Sequence, residues 1–209
     1  MDRMILVTGG SGSGKSAWAE NRVIENGQGP YVYLATMRPQ GEDTEERIRR
    51  HREMREGKGF VTLERYTDLD ELTLPAELRG GTVLLEDLSN LLANEMFGSS
   101  AQERCDVGRS DVEHCDMENC ADNVLTELYA LRQQCTEKVM DGLRALRQQC
   151  AVLVIVTNEI FHDGVQYDPV TTAYMQTLAE INLKAACMAD EVTEVVCGLP
   201  LFMKGRKTV

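Results

Sequence analysis

Eight residues near the start of the chain, Gly9-Gly10-Ser11-Gly12-Ser13-Gly14-Lys15-Ser16, fit the pattern G-x-x-x-x-G-K-[ST]. Glycines at that density let the backbone curl until successive N–H groups face one anion, and a helix opening at Lys15 adds its positive end. Lys15 is long enough to reach the outer phosphates of a nucleotide, and the Ser16 hydroxyl is a ligand for Mg²⁺. A glycine-rich turn without chemistry would need neither Lys-Ser at a helix start nor an apolar strand just before it. The run Leu84-Leu85-Glu86-Asp87 adds a second part, apolar residues closing on two acids. A carboxylate there would sit beside the phosphate loop and hold Mg²⁺, directly or through water, with Glu86 the first choice and Asp87 the alternate.

Arginine is concentrated in one place. Arg47-Ile48-Arg49-Arg50-His51-Arg52-Glu53-Met54-Arg55 holds five arginines and one glutamate, a local charge of +4. If helical, Arg47, His51 and Arg55 fall along one face at i, i+4 and i+8. Surrounding cations disfavour imidazolium, which keeps His51 neutral and nucleophilic, and the same arginines suit nucleotide phosphates. On the residues alone a simpler account competes: a solvated basic face paired with Glu42, Asp43, Glu45 and Glu46. Two other groupings are weaker. Cys105, His114, Cys115 and Cys120 lack the tight Cys-x2-4-Cys knuckle of a zinc site. His162 and Asp163 read as loop polarity rather than as an acid–base pair.

These residues need a frame to position them. Met4–Thr8, Tyr31–Thr36, Thr82–Glu86 and Val152–Thr157 are continuous apolar runs, the pattern of strands covered on both faces in a parallel sheet. Glu191–Cys197 is a more polar fifth candidate, nearer an edge. Helices are expected over Lys15–Asn26 and at about 44–56, 88–97, 122–150 and 170–188. Alternation of strand and helix predicts a doubly wound α/β fold with ligands at the carboxyl ends of the strands. The stretch from Gly98 to about Ala121 reads as a polar irregular excursion. Ala130–Cys135 (ALRQQC) recurs as Ala145–Cys150, and an apolar stripe (Leu125, Leu128, Leu131, Cys135, Val139, Leu143, Leu146) carries one helix through both copies.

The 209 residues suit one domain, with 34 acids against 22 basic residues and a formal net charge of -12. That balance argues against a polynucleotide partner or a basic membrane-binding face. Outside Arg47–Arg55 the charge is -16, so the basic segment is a local exception that suits a single nucleotide. No apolar run reaches spanning length, the opening residues lack a signal-peptide core, and seven cysteines suit buried free thiols, which together give a cytoplasmic expectation.

The chain resembles the bifunctional adenosylcobinamide kinase/adenosylcobinamide-phosphate guanylyltransferase family. The resemblance rests on Ile5–Ser16 (ILVTGGSGSGKS), Tyr33–Thr36 (YLAT), Arg47–Arg52 (RIRRHR), Leu63-Glu64, Val83–Glu86 (VLLE) with Asn94 beyond it, and Val156–Glu159 (VTNE). Ala189-Asp190 and Gly198-Leu199-Pro200 continue it near the end, and the poorest part is 98–150. It implies an α/β P-loop NTPase (RecA-like) fold with a mostly parallel sheet and helices on both faces. It also implies one nucleotide-binding domain over 1–209, with the excursion and lengthened helix at about 98–150.

It implies two reactions as well: phosphorylation of adenosylcobinamide by ATP or GTP, then passage of GMP from GTP through a guanylylated histidine to the cobinamide phosphate. By position His51 would be that histidine, with Lys15 catalytic beside it. Nucleotide contacts are implied at Gly9, Gly10, Ser11, Gly12, Ser13, Gly14, Lys15, Ser16, Thr36, Met37, Arg38, Arg52, Glu53, Met54, Arg55, Glu64 and Glu86, and Mg²⁺ at Ser16 and Glu86. A cytoplasmic homotrimer is implied, with the histidine-bearing helix able to swing relative to the phosphate loop. After VTNE the chain departs from the family: Ile160–Tyr167 replaces a glycine-rich stretch, and no arginine or lysine stands between Glu159 and Lys184. Two other readings fit the phosphate loop: a small-molecule kinase that leaves His51 unlabelled, and a GTP-binding regulatory protein without turnover.

Overall fold

The computed structural model describes residues 3–26, 29–39, 42–98, 117–161 and 163–205. Within them the order is β1 (Arg3–Thr8), α1 (Lys15–Asn26), β2 (Tyr31–Ala35), α2 (Glu42–Arg55), β3 (Phe60–Glu64), β4 (Thr82–Glu86) and α3 (Leu88–Phe97). There follow α4 (Met117–Arg147), β5 (Val152–Val156), α5 (Pro169–Met188), β6 (Glu191–Val196) and β7 (Leu199–Lys204). The strands form one sheet in the order β3-β2-β4-β5-β1-β6-β7. All neighbours are parallel except the antiparallel pair β6–β7.

The continuous apolar runs are buried on both faces. Met4, Leu6, Leu34, Leu85 and Ile155 face one layer, built by α3, α4 and α5. Ile5, Val7, Tyr33, Leu84 and Val154 face the other, where Ala19 and Val23 of α1 cover them. The expected mostly parallel sheet with helices on both faces is therefore present. Helix starts follow their caps. Asp87 accepts from the Asn90 N–H to open α3, and Asp168 accepts from Val170 and Thr171 N–H to open α5, with Pro169 in the first turn.

Several expectations need correcting. Two strands were not foreseen, β3 and β7, and they are the two sheet edges. Edge strands carry mixed polar and apolar residues, and β7 tolerates Pro200 because an edge leaves backbone groups outside the ladder. The long helix begins at Met117 rather than 122, so the end of the expected excursion is helical. Residues 99–116, with Cys105, His114 and Cys115, lie outside the described residues. The helix ends at Arg147, so the second ALRQQC copy runs off its end instead of continuing it. There Gln149 takes a structural job: its side chain accepts from Leu74 N–H at 2.7 Å and donates to Leu72 O at 2.9 Å. Cys135 and Cys150 are buried free thiols, as expected, whereas Cys187 and Cys197 are free but exposed. Gly142 lets α4 close on the segment after β3, since a Cβ there would meet Leu69 Cβ at 2.7 Å and Asp70 N at 2.9 Å.

Helix α2 stands apart in its chemistry. Its sequence EDTEERIRRHREMR offers no apolar stripe, and Glu45, Glu46, Arg49, Arg50, Arg52 and Glu53 are exposed. Its carboxyl end is anchored by Arg55, which is buried, and by Lys58 just beyond, which pairs at 2.6 Å with the fully buried Glu20 of α1. No helix among the described residues is long and apolar enough to cross a membrane.

Candidate active site

The phosphate loop leaves β1 at Thr8 and returns as α1. Gly14 has φ +89, a conformation that L side chains rarely adopt, and its α-carbon faces Gly198 so closely that a Cβ would lie 3.3 Å away. The Gly198 N–H donates to Ser13 O at 2.8 Å, so the turn between β6 and β7 braces the loop from behind. Lys15 is buried and its Nζ donates to Gly10 O at 3.1 Å, holding the ammonium across the loop.

Strand β4 brings Glu86 to the same place, where the Ser16 hydroxyl donates to its carboxylate. Burial is the main cause that pushes the Glu86 carboxyl up to about 7. The Ser16 bond and Arg55 pull it down, and Asp87 and Glu20 add to the rise. These are hard oxygen donors, and no group of three or more His, Cys, Asp or Glu among the described residues could hold a metal ion by itself. Ser16 and Glu86 therefore suit Mg²⁺ that shares its remaining positions with water and phosphate oxygens.

A cavity of about 480 Å³ opens over the loop, within the range of small-molecule sites. Ser11, Gly12, Ser13, Gly14, Lys15 and Ser16 line its floor, with Glu86 beside them. Met37, Arg52, Arg55 and Glu64 line one wall, together with Ile48, Arg50 and Thr62. Arg55 inserts its guanidinium 3.3 Å from the centroid of the Tyr33 ring, and its Nε and Nη1 are buried with no acceptor among the described residues. Two buried guanidinium nitrogens without an acceptor suit an anion bound in the cavity. Arg52 donates to Glu64 at 2.8 Å, and Tyr66 donates to the other Glu64 oxygen at 2.7 Å.

Other expected contacts stand elsewhere. Gly9 and Gly10 form the loop but do not line the cavity. Thr36 is fully buried; its N–H donates to Glu86 O at 3.1 Å and its hydroxyl to Asp87 O at 2.7 Å, so it clamps β2 to the end of β4. Arg38 stacks over Tyr66, 5.9 Å from the ring centroid, outside the cavity lining. Glu53 is exposed and within ion-pair range of Arg49. His51 and Met54 lie in α2, and their side chains fall outside what is described. The solvated-face account of the arginines holds for Arg49, which pairs with Glu46 and Glu53 at 3.8–3.9 Å. It does not hold for Arg55. Asp163 is exposed and occupied by its own turn, accepting from Val165 N–H and the Tyr167 hydroxyl, while His162 lies outside the described residues.

The sequence reading left Tyr33, Asn90 and Asn158 without a role, and all three line the cavity. The signal for Asn158 was the end of an apolar strand, the same signal that marks Glu86.

A model of the family described as cobinamide kinase/cobinamide phosphate guanyltransferase matches residues 5–203. The chain belongs to that family. It is thus an enzyme of the kinase and guanyltransferase class. It is 30% identical over 205 residues to the bifunctional adenosylcobalamin biosynthesis protein CobU of Salmonella typhimurium (strain LT2), covering 96% of this chain and 99% of that protein. The protein of the same name from Escherichia coli (strain K12) is 29% identical over 201 residues, again 96% and 99%. Among solved structures, the flagellar accessory protein FlaH from Methanocaldococcus jannaschii aligns with TM-score 0.39 and 13% identity over 97% of this chain and 78% of that one, too loose a likeness to carry an argument. The family match runs through both the phosphate loop and α2, and residues of both line the cavity.

Proposed function

We propose that this chain works in cobalamin biosynthesis, phosphorylating adenosylcobinamide and then transferring GMP to the product through His51. The observation that carries this reading is the shared cavity: the phosphate loop forms its floor, and α2, which bears His51, supplies Arg50, Arg52 and the buried Arg55 to its wall. In the first reaction the aminopropanol oxygen of the substrate bonds to the γ-phosphorus of ATP or GTP. The bond to the β–γ bridging oxygen breaks, the nucleoside diphosphate leaves, and the hydroxyl proton passes to solvent. In the second, a His51 ring nitrogen bonds to the α-phosphorus of GTP and pyrophosphate leaves. An oxygen of the cobinamide phosphate then takes the same phosphorus, breaking the P–N bond and freeing His51, so that one difficult displacement becomes two easier ones.

Lys15 and the loop N–H groups bear on the outer phosphates in both reactions. Mg²⁺ bound at Ser16 and Glu86 would neutralise charge on the transferring phosphates. Arg52 and Arg55 bear on the nucleotide from the α2 side, with Glu64 orienting Arg52. The exposed, apolar-poor α2, tethered at one end by Arg55 and Lys58, suits a helix that moves His51 between the two reactions. A single nucleotide-binding domain, a homotrimer and a cytoplasmic location complete the reading; they come from the family resemblance.

Incubation with GTP labelled at the α-phosphate tests it. Wild type should take up acid-labile label and His51→Ala should take up none. Equal labelling of the two proteins would reject His51. Label-free wild type that still phosphorylates cobinamide would leave a kinase alone.

A further inference from the structure

The cavity has two chemically unlike walls. On the side of β2, β3 and α2 stand three guanidinium groups; on the side of β4 and β5 stand Asp87, Asn90 and Asn158. Among the described residues no lysine or arginine lines this second wall. With Asp87 on it and no cation beside it, this wall offers a phosphate no partner of opposite charge. A neutral ligand that carries hydroxyl and carboxamide groups would find partners.

Asp87 is held in one orientation. Its Oδ1 accepts from the Ser89 hydroxyl at 2.6 Å and the Asn90 N–H at 2.7 Å, and its Oδ2 accepts from the Asn158 amide at 3.1 Å. A carboxylate oxygen has room for two donors, so Oδ2 keeps one position for a donor from the cavity. Asn158 is tied in turn to the Ser89 hydroxyl. An apolar margin adjoins this polar wall. The Tyr174 hydroxyl donates to Ser89 O at 3.1 Å, and its ring packs against Phe97 at 6.0 Å between centroids, with Phe97 44% exposed. The end of α3 stays near the carboxyl rim of the sheet, because Asn94 donates to Thr36 O at 2.8 Å.

We propose that this wall is the acceptor subsite. Asp87 takes the hydrogen bond of the hydroxyl that is to be phosphorylated and holds its oxygen toward the phosphate loop. Asn90 and Asn158 pair with carboxamide groups next to that hydroxyl, and Phe97 with Tyr174 bears on the apolar face of a large ring. The ligand class is an alcohol arm on an amide-bearing macrocycle. The inference rests on the proposed function for the identity of the acceptor, and goes beyond it by naming where the acceptor sits.

The test uses Asp87→Ser and Asn90→Ala in the full chain. Serine is as good a helix N-cap as aspartate, so α3 keeps its start. Initial rates with adenosylcobinamide and ATP should show the acceptor KM raised about tenfold or more in Asp87→Ser, as expected for loss of a hydrogen bond to a charged group, and severalfold in Asn90→Ala. The KM for ATP, the GTP-dependent labelling of His51 and the thermal midpoint should stay close to wild type. Calorimetric titration with adenosylcobinamide alone should weaken in the same order. An acceptor KM and affinity unchanged in both variants would overturn the subsite and leave Asp87 a helix cap. A parallel rise in the ATP KM or loss of labelling would also overturn it, placing this wall in the nucleotide site. Wild type that binds nucleotide but neither phosphorylates cobinamide nor takes up label would instead overturn the functional reading beneath it.

Discussion

Replacing Glu86 with glutamine removes an ionisable group from beside the phosphate loop while keeping its size and its ability to accept from the Ser16 hydroxyl. Burial above all pushes this carboxyl from 4.5 to about 7. An acid with a raised folded pKa binds more protons in the folded than in the unfolded chain between those two values, so stability falls as pH rises through that window and stays reduced above it. The shift corresponds to roughly 3 kcal/mol. Metal-free Glu86→Gln should therefore be more stable than wild type by up to about 3 kcal/mol at pH 8, and no more stable near pH 4. For a chain of this size that is about 6–12 °C in thermal midpoint.

Scanning calorimetry of both proteins in chelator, at pH 4 and pH 8, measures the difference. Mg²⁺ with ATP should narrow or reverse the order at pH 8. Wild type gains about 2.7 kcal/mol at a ligand concentration near 100 times Kd, while the variant lacks the carboxylate that draws the cation in and gains less. A glutamine variant less stable than wild type at pH 8 without metal, or a difference equal at both pH values, would refute the reasoning.

Lys15→Ala should lower both the kinase rate and the His51 labelling by about 100-fold, as for loss of one preorganised donor to a transition-state anion; parallel rate measurements check it, and an intact kinase step would reject the loop assignment. Lys58→Met leaves the fully buried Glu20 without its 2.6 Å partner and should cost about 2–3 kcal/mol in urea unfolding, with most of that recovered in Lys58→Met/Glu20→Leu. Burial works to lower the Lys138 pKa, but hydrogen bonds to Asp68 and Glu95 win and hold it above its ordinary value. Lys138→Met should thus destabilise by about 2 kcal/mol, measured the same way, because the Glu95 carboxylate is only 6% exposed.

The four continuous apolar runs identified the central strands because burial on both faces leaves no room for polar residues. Phe60–Glu64 and Leu199–Lys204 escaped because an edge strand packs on fewer neighbours and its sequence is free to alternate. The phosphate loop was readable residue by residue, since backbone curl and the Lys-Ser pair are local requirements. Arg55 was named among the arginines, yet nothing local told it from Arg49. The difference lies in β2, where Tyr33 offers a ring for the guanidinium, and in β4, where Glu86 supplies an opposite charge. Asp87 shows the same limit. Its type and place at a strand end suggested a metal ligand; its bonds to Ser89 and Asn90 form a local helix cap, whereas its bond to Asn158 depends on β4 and β5 being neighbours, which the sheet order decides.

On the proposed function, the sheet order bears on how one cavity would serve two transfers. β4 stands between β2 and β5, and β5 stands between β4 and β1. Whatever follows β2 and β3 must therefore lie on one side of Glu86, and whatever follows β5 on the other. The connection after β2 is α2, with its arginines and His51; the connection after β5 carries Asn158 and no lysine or arginine before Lys184. The segment bearing the arginines and His51 thus follows β2, and Asn158 follows β5, with β4 between them and neighbouring strands about 5 Å apart. On the proposed function, α2 meets the nucleotide from the β2 side of Glu86, while Asp87, Asn90 and Asn158 meet the acceptor at the ends of β4 and β5, between Glu86 and the phosphate loop that follows β1.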